Sequence, residues 1–394
     1  MSNDHEAARA SRRARAVGLL GLASGMGIGR FAFTPLLPLM QAEGLSLTAG
    51  SQLAAANYLG YLAGALACMA GHPRAGAAAR AGLLGVAVCT LAMAVSPGLV
   101  MAWWWRFAAG VCSAFVLVGV SAWAMGWLAK AGRPAAAGGV FAGVGVGMAV
   151  AGGIAWVAGL RAWPAAPTWA GLGLLAAAVV VVAWHPLWED ATGPAPGPQG
   201  AAQGVPRAVW PLVACYGALG FGYILPATFL PALARLWVDD ARVFGAVWPV
   251  FGGAAALSTV GAAPLLARHG ARTVWAAAMG VMSVGVLLPV VSTQALALVL
   301  SAVCVGGTFM VATMAGLQEA RRLGGAAPTR VMAAMTAAFA TGQWLGPLTV
   351  GALARADDPI TRPSLLAAAV LLLAVGALLW RRRPDVELPR KDPA

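Results

Sequence analysis

The sequence predicts an all-α polytopic membrane protein with twelve transmembrane helices in two six-helix bundles. Three observations carry that prediction. Of the 394 residues 60% are hydrophobic and only 10% charged, with a mean hydropathy of +0.78, whereas a soluble chain of this length needs far more polar residues to cover its surface. Cut at Gly, Pro and charge clusters, the chain yields twelve apolar segments, each close to the ~20 residues that cross a bilayer as a helix. Finally, a stretch at 187–207, "LWEDATGPAPGPQGAAQGVPR", splits those segments six and six.

The first span is placed at 16–41, after an N-terminal tail of residues 1–15. The opening "MSNDHEAARASRRARA" resembles the charged part of a signal peptide, but no small-residue cleavage site follows and eleven more spans do, so the first helix is read as retained. Spans at 50–71, 81–97, 99–128, 136–160 and 168–185 complete a bundle over 16–186. The stretch 187–207 is too rich in Pro, Gly and Gln to span a membrane and reads as a flexible cytoplasmic linker. Spans at 208–234, 243–265, 272–291, 294–316, 330–354 and 363–380 form the second bundle over 208–380, followed by a tail at 381–394. Spans three, six, nine and twelve carry almost nothing polar and read as lipid-facing walls.

Charge gives the orientation. If the sides alternate from the N-terminus, nineteen of the 26 Lys and Arg residues fall on the side of the termini and five on the other (Arg161, Arg235, Arg242, Arg355, Arg362), which places both termini in the cytoplasm. The net charge of +13 is thereby explained by topology and attraction to anionic membrane lipid; a nucleic-acid patch is not needed. All five cysteines lie inside predicted spans without CxxC pairing, and the four histidines lie in loops or at helix ends, so neither disulfides nor a metal site is expected. "GMGIG" and "GVGVG" lack dinucleotide spacing, and no phosphate-binding GxxxxGK[ST] occurs, so no cofactor and no direct ATP coupling is expected. Polar catalytic clusters at a membrane face are absent too, which argues against an enzyme.

The halves repeat. A shift of 193 residues lays Gly27, Gly29 and Leu37-Pro38 on Gly220, Gly222 and Leu230-Pro231, and places Arg30 on Tyr223. A shift of 199 lays Gly143, Gly147 and Gly152 on Gly342, Gly346 and Gly351. Parallel repeats of this kind belong to carriers in which two bundles rock about a midplane site. With this frame, "WWWRFAAGVCSA" resembles the major facilitator superfamily, whose Arg-xxx-Gly signature matches Arg106 and Gly110. "GVGVGMAVAGG" and "GQWLGPLTVGA" look like its glycine-proline motif, with Met148 in place of the proline in the first copy. The signature loop after span two is degraded: "GHPRAGAAAR" lacks its acidic residue and "ARHGAR" keeps only the basic and glycine positions. More narrowly, "GMGIGRFAFTPLLPLMQ", "ANYLGYLAGAL" and "GTFMVATMAGLQEAR" are similar to the YbfB/YjiJ group of that superfamily.

Arg30 stands deep in the first span, where even low estimates charge ~2.5 kcal/mol for an arginine. One reading is a cation facing a central cavity and pairing with a substrate carboxylate or phosphate. The other is an arginine bonded to backbone carbonyls or to a neighbour such as Thr34, locking the helix. Arg106 divides likewise: the resemblance implies proton coupling or substrate binding, while "WWW" before it suits an interfacial packing residue. All 13 acidic residues lie in tails, loops or helix ends, so an anionic ligand is expected to supply the missing charge. Asn57, Tyr61, Tyr223 and Gln343 are candidate cavity residues, or else helix-to-helix hydrogen-bonding groups. Glu319, just past span ten, is a candidate for coupling or gating, although "QEARR" also reads as a solvated helix end. The expectation is a secondary active transporter of a small solute, an organic anion in the first instance, in a bacterial inner membrane. Its partners would be that small molecule, a coupling proton and lipid, and the chain would act as a monomer. Proton-coupled efflux of amphipathic compounds is the alternative.

Overall fold

The computed structural model describes residues 2–71, 73–96, 98–133, 136–189, 206–238, 240–323, 328–353, 358 and 360–380. The expected tail at 381–394, the linker interior 190–205, His72 and Arg355 lie outside these. Every regular element among the described residues is helical. The first span is made of α1 (Ser2–Leu22), a π-helical turn (Ala23–Ile28) and α2 (Phe33–Ala42). Spans two to six are α3 (Leu47–Gly71), α4 (Ala75–Ala94), α5 (Leu99–Lys130), α6 (Ala137–Leu160) and α7 (Ala165–Trp184). Spans seven to twelve are α8 (Trp210–Trp237), α9 (Ala241–His269), α10 (Ala271–Val291), α11 (Ala295–Leu323), α12 (Pro328–Leu353) and α13 (Thr361–Trp380). Eleven of the twelve are long and apolar enough to cross a membrane. The other, α12, carries Thr336, Thr341, Gln343 and Thr349 and packs against α3 and α8.

The first span departs from the continuous helix expected over 16–41. Helix begins at Ser2, since the Ala- and Arg-rich opening is a good helix former. It then breaks just where Arg30 stands. Pro35 has no N–H to give the Phe31 carbonyl, and the Thr34 N–H turns to that carbonyl instead, at 3.2 Å. Thr34 thereby leaves the Arg30 carbonyl without its helical donor. Together with the widened π turn, this exposes main-chain acceptors in mid-membrane, where each must find a partner inside the protein.

Glycines set how closely helices approach. A Cβ on Gly143 or Gly147 of α6 would stand 2.2 Å from the carbonyl oxygen of Leu19 or Ala23 in the first span. In the second half, a Cβ on Gly342 of α12 would stand 2.2 Å from the Gly217 oxygen of α8. The two copies of the glycine motif therefore do the same work, seating spans five and eleven on spans one and seven. Across the halves, Gly145 of α6 meets the Ala256 nitrogen at 2.3 Å and Gly252 of α9 meets the Ala149 nitrogen at 2.4 Å by the same measure. Gly270 ends α9 with φ 76°, a left-handed conformation that explains why "ARHGAR" keeps its glycine. Leu174, Val181 and Val182 of α7 and Leu372 and Leu373 of α13 are exposed, as expected of lipid-facing walls, with Leu84 and Val88 of α4 and Val281 and Val284 of α10. The outward face of α9 joins them through Leu257 and Val260.

At the face where the linker leaves, its first residues are anchored. Leu187 is buried, its carbonyl accepts from Arg80 at 2.9 Å, and Trp123 Nε1 donates to the Glu189 carbonyl at 2.8 Å. The Glu189 carboxylate takes both terminal nitrogens of Arg13, at 2.8 and 3.0 Å. That bidentate bond holds its carboxyl below the usual range, so the pair contributes at neutral pH and is lost as pH falls through the depressed value. Both groups are substantially exposed, so Glu189→Gln should lower stability at neutral pH by under about 1 kcal/mol. Thermal unfolding of both proteins at neutral pH and at successively lower pH should show that difference shrinking as pH falls through the depressed value.

Candidate functional site

The freed acceptors of the first span are taken up by Arg106 and Asn57. Arg106 of α5 donates Nη2 to the Arg30 carbonyl at 3.2 Å and Nη1 to the Gly29 carbonyl at 3.4 Å, and its guanidinium lies 4.8 Å from the Phe33 ring. Asn57 of α3 donates Nδ2 to the Arg106 carbonyl at 2.9 Å and reaches Gly29 at 3.4 Å. Gly110, one turn after Arg106, makes this possible: a Cβ there would stand 2.0 Å from the Asn57 carbonyl oxygen. The Arg-xxx-Gly pair thus couples a close approach of two helices to a clamp on a third.

Arg30 points the other way, across the halves. It is 1% exposed and donates Nη2 to the side-chain oxygen of Gln343 in α12, while Gln343 Nε2 donates to the hydroxyl oxygen of Tyr223 in α8. Arg30 and Tyr223, which the 193-residue shift makes equivalent, are therefore bridged by a single amide. The Arg30 guanidinium lies 3.7 Å from the Tyr61 ring centre and 5.2 Å from that of Tyr58, within cation–π reach. Tyr223 stacks on Phe309 and Phe339, with centroids 5.2 and 5.6 Å apart. Arg30 Nε and Nη1, Arg106 Nε and Asn57 Oδ1 are buried without a hydrogen-bond partner among the described residues. Among the described residues no carboxylate pairs with either arginine.

Thr34 does not bond Arg30. Its hydroxyl donates at 2.8 Å to the Ala227 carbonyl, which Pro231 leaves without a helical donor four residues on. Thr34 and Ala227 are equivalent under the 193-residue shift, so the bond joins spans one and seven at their pseudo-twofold axis. Beside it, Tyr58 and Thr228 share a 3.0 Å hydrogen bond. Glu319 is apart from this cluster: about 15 Å along α11 from Phe309 at helical rise, it is buried and bonded bidentately to Arg322 at 2.8 and 2.9 Å. Of the candidates, then, Arg30, Arg106, Asn57, Tyr61, Tyr223 and Gln343 come together and Glu319 does not. Phe309, Phe339 and Thr228 join them without having been candidates. Phe309 lies within the quoted "GTFMVATMAGLQEAR", but a phenylalanine in an apolar run carries no signal of its own.

Residues 22–379 match the family described as "Uncharacterised MFS-type transporter YbfB". The chain belongs to that family, within the major facilitator superfamily. Among the curated proteins no sequence matches it. Among solved structures, a point mutant of the nucleoside transporter NupG superposes with a TM-score of 0.72 over 95% of this chain and 100% of that one, at 12% identity. At that identity the likeness shows the fold alone. A transporter family, this fold and the membrane-spanning helices make the chain a multi-pass membrane transporter of the secondary type and not an enzyme.

Proposed function

We propose that this transporter moves a small organic anion by alternating access, with the anion held between Arg30, Gln343 and Tyr223. One observation carries the reading: Arg30 is a fully buried cation, two of its nitrogens have no partner among the described residues, and the third bonds a neutral amide. A carboxylate or phosphate is itself charged and can take two guanidinium nitrogens at once, so it bonds Arg30 more strongly than the single amide oxygen of Gln343 does. Gln343 is then a placeholder, and the anion that displaces it breaks a bond between the halves. Arg106, spent on main-chain carbonyls, holds the first span in shape and adds positive potential to the site. Glu319, bonded to Arg322, has its place at the end of α11, away from this exchange, and a coupling proton would need another carrier.

The orientation proposed from the basic loops puts both termini in the cytoplasm of a bacterial inner membrane, and a monomer in lipid suffices for the cycle. The stacked rings of Tyr223, Phe309 and Phe339 support a second reading, proton-coupled efflux of amphipathic compounds, in which aromatic contact dominates binding. A thermal-shift screen of the purified protein against metabolite anions and amphipathic cations separates the two. Under the anion reading at least one anion stabilises the wild type and none stabilises Arg30→Ala. If only cations or neutral amphiphiles stabilise both proteins alike, the anion reading is wrong.

A further inference from the structure

A cavity of about 360 Å³ opens at the face opposite the linker, where the ends of α2, α6 and α8 meet the starts of α7 and α9. Trp156, Trp163, Phe244 and Trp248 line it, with Arg235 and Glu43 as its charged groups. Its size falls within the roughly 300–1,000 Å³ of small-molecule sites, and an aromatic wall with few polar groups is the usual composition of such sites. The two charges are not equivalent. Glu43 accepts the Ala165 N–H at 2.7 Å at the N-terminus of α7, where the helix dipole and that bond offset its charge. Arg235, exposed on α8, donates to the main-chain carbonyl of Pro38 in α2, a neutral acceptor. Trp248 is 1% exposed, and its indole N–H has no acceptor among the described residues.

We infer that this cavity is a second binding site, separate from the Arg30 centre, that takes a small planar aromatic carboxylate. The ring stacks among the aromatic side chains and the carboxylate takes Arg235. The inference rests on the organic-anion reading above. It adds a consequence: the Arg235 guanidinium, drawn from the Pro38 carbonyl to a stronger acceptor, releases one of the bonds that tie the first span to α8. Thr34 and Ala227 hold another, one to two turns deeper. Occupation of the outer site thus loosens the seam above Arg30 before the central site is reached.

The test uses the full-length Arg30→Ala protein in detergent, so that binding reports the cavity rather than the centre. Equilibrium dialysis against labelled benzoate, indole-3-carboxylate and pyridine-3-carboxylate, with benzamide as the neutral control, should find at least one acid bound and the amide not. Adding Arg235→Ala should weaken that binding about tenfold or more, and Arg235→Lys should restore part of it. The same series on the wild-type background covers the case in which Arg30→Ala does not purify. No bound acid, or equal binding with and without Arg235, overturns the site. If uptake by wild-type proteoliposomes depends on Arg30 while the cavity binds nothing, the carrier reading stands without this site. Binding here with no organic anion carried at all has the reverse meaning.

Discussion

Arg30→Ala is expected to weaken binding of the transported anion by roughly 30-fold or more and to leave the empty protein at least as stable as the wild type. The first figure corresponds to the ~2 kcal/mol or more lost when one partner of a buried charge pair is truncated. The second follows from the cost of the cation itself. A guanidinium at mid-membrane costs ~2.5 kcal/mol or more, and in the empty protein Arg30 recovers part of that from one amide and from the Tyr61 and Tyr58 rings. Removing it relieves the burial and, among the described residues, strands the side-chain oxygen of Gln343, which keeps its bond to Tyr223. Function and stability therefore move in opposite directions. An arginine whose task is to lock the first span predicts the reverse: a lower melting temperature and unchanged affinity. Melting curves of both proteins, with and without the anion, distinguish the two. Arg30→Lys sharpens the comparison, since it keeps the charge but loses the two-pronged geometry, and it should bind more weakly than the wild type while still responding to anions.

Much of the fold and part of the site are legible in the sequence, for physical reasons. A bilayer demands long apolar helices, and those are visible as composition; a charge inside one is conspicuous because it is costly. The repeat places Arg30 opposite Tyr223, and the two are in fact joined through Gln343. The break in the first span does not show in the apolar pattern, although its cause is in the sequence. Pro35 and Pro38 each remove a donor, but which carbonyl is stranded, and what satisfies it, depends on neighbours that only the fold supplies. Arg106 illustrates this: its signature points to ligand or proton, and its hydrogen bonds go to the main chain of another helix. Thr34 reads as a partner for Arg30 because it is one turn away, yet its acceptor lies 193 residues further on. Local spacing shows which polar residues stand inside the apolar runs; it cannot give their directions.

Gly110→Ala is expected to disturb the assembly far more than the size of one methyl group suggests. The added Cβ would stand 2.0 Å from the Asn57 carbonyl oxygen and 2.8 Å from the Tyr61 nitrogen, both main-chain atoms that no rotamer change can move. On the facing helix the same holds at Gly60, where a Cβ would stand 1.9 Å from the Phe107 carbonyl oxygen. Helices α3 and α5 must therefore part, and overpacking of this kind costs about 1–3 kcal/mol. The effect does not stop at packing. Asn57 holds the Arg106 carbonyl at 2.9 Å, and Arg106 holds the carbonyls of Gly29 and Arg30, so separating α3 from α5 loosens the clamp on the broken segment that presents Arg30. Gly110→Ala should thus lose both stability and anion affinity, and Gly60→Ala should do the same from the other side. Gly153 in α6 is the control, because a Cβ there meets nothing within 4 Å, and alanine in an open helical position favours the helix by up to about 1 kcal/mol. Equal melting temperatures and equal anion binding for Gly110→Ala and Gly153→Ala would show that the contact between α3 and α5 does not support the site.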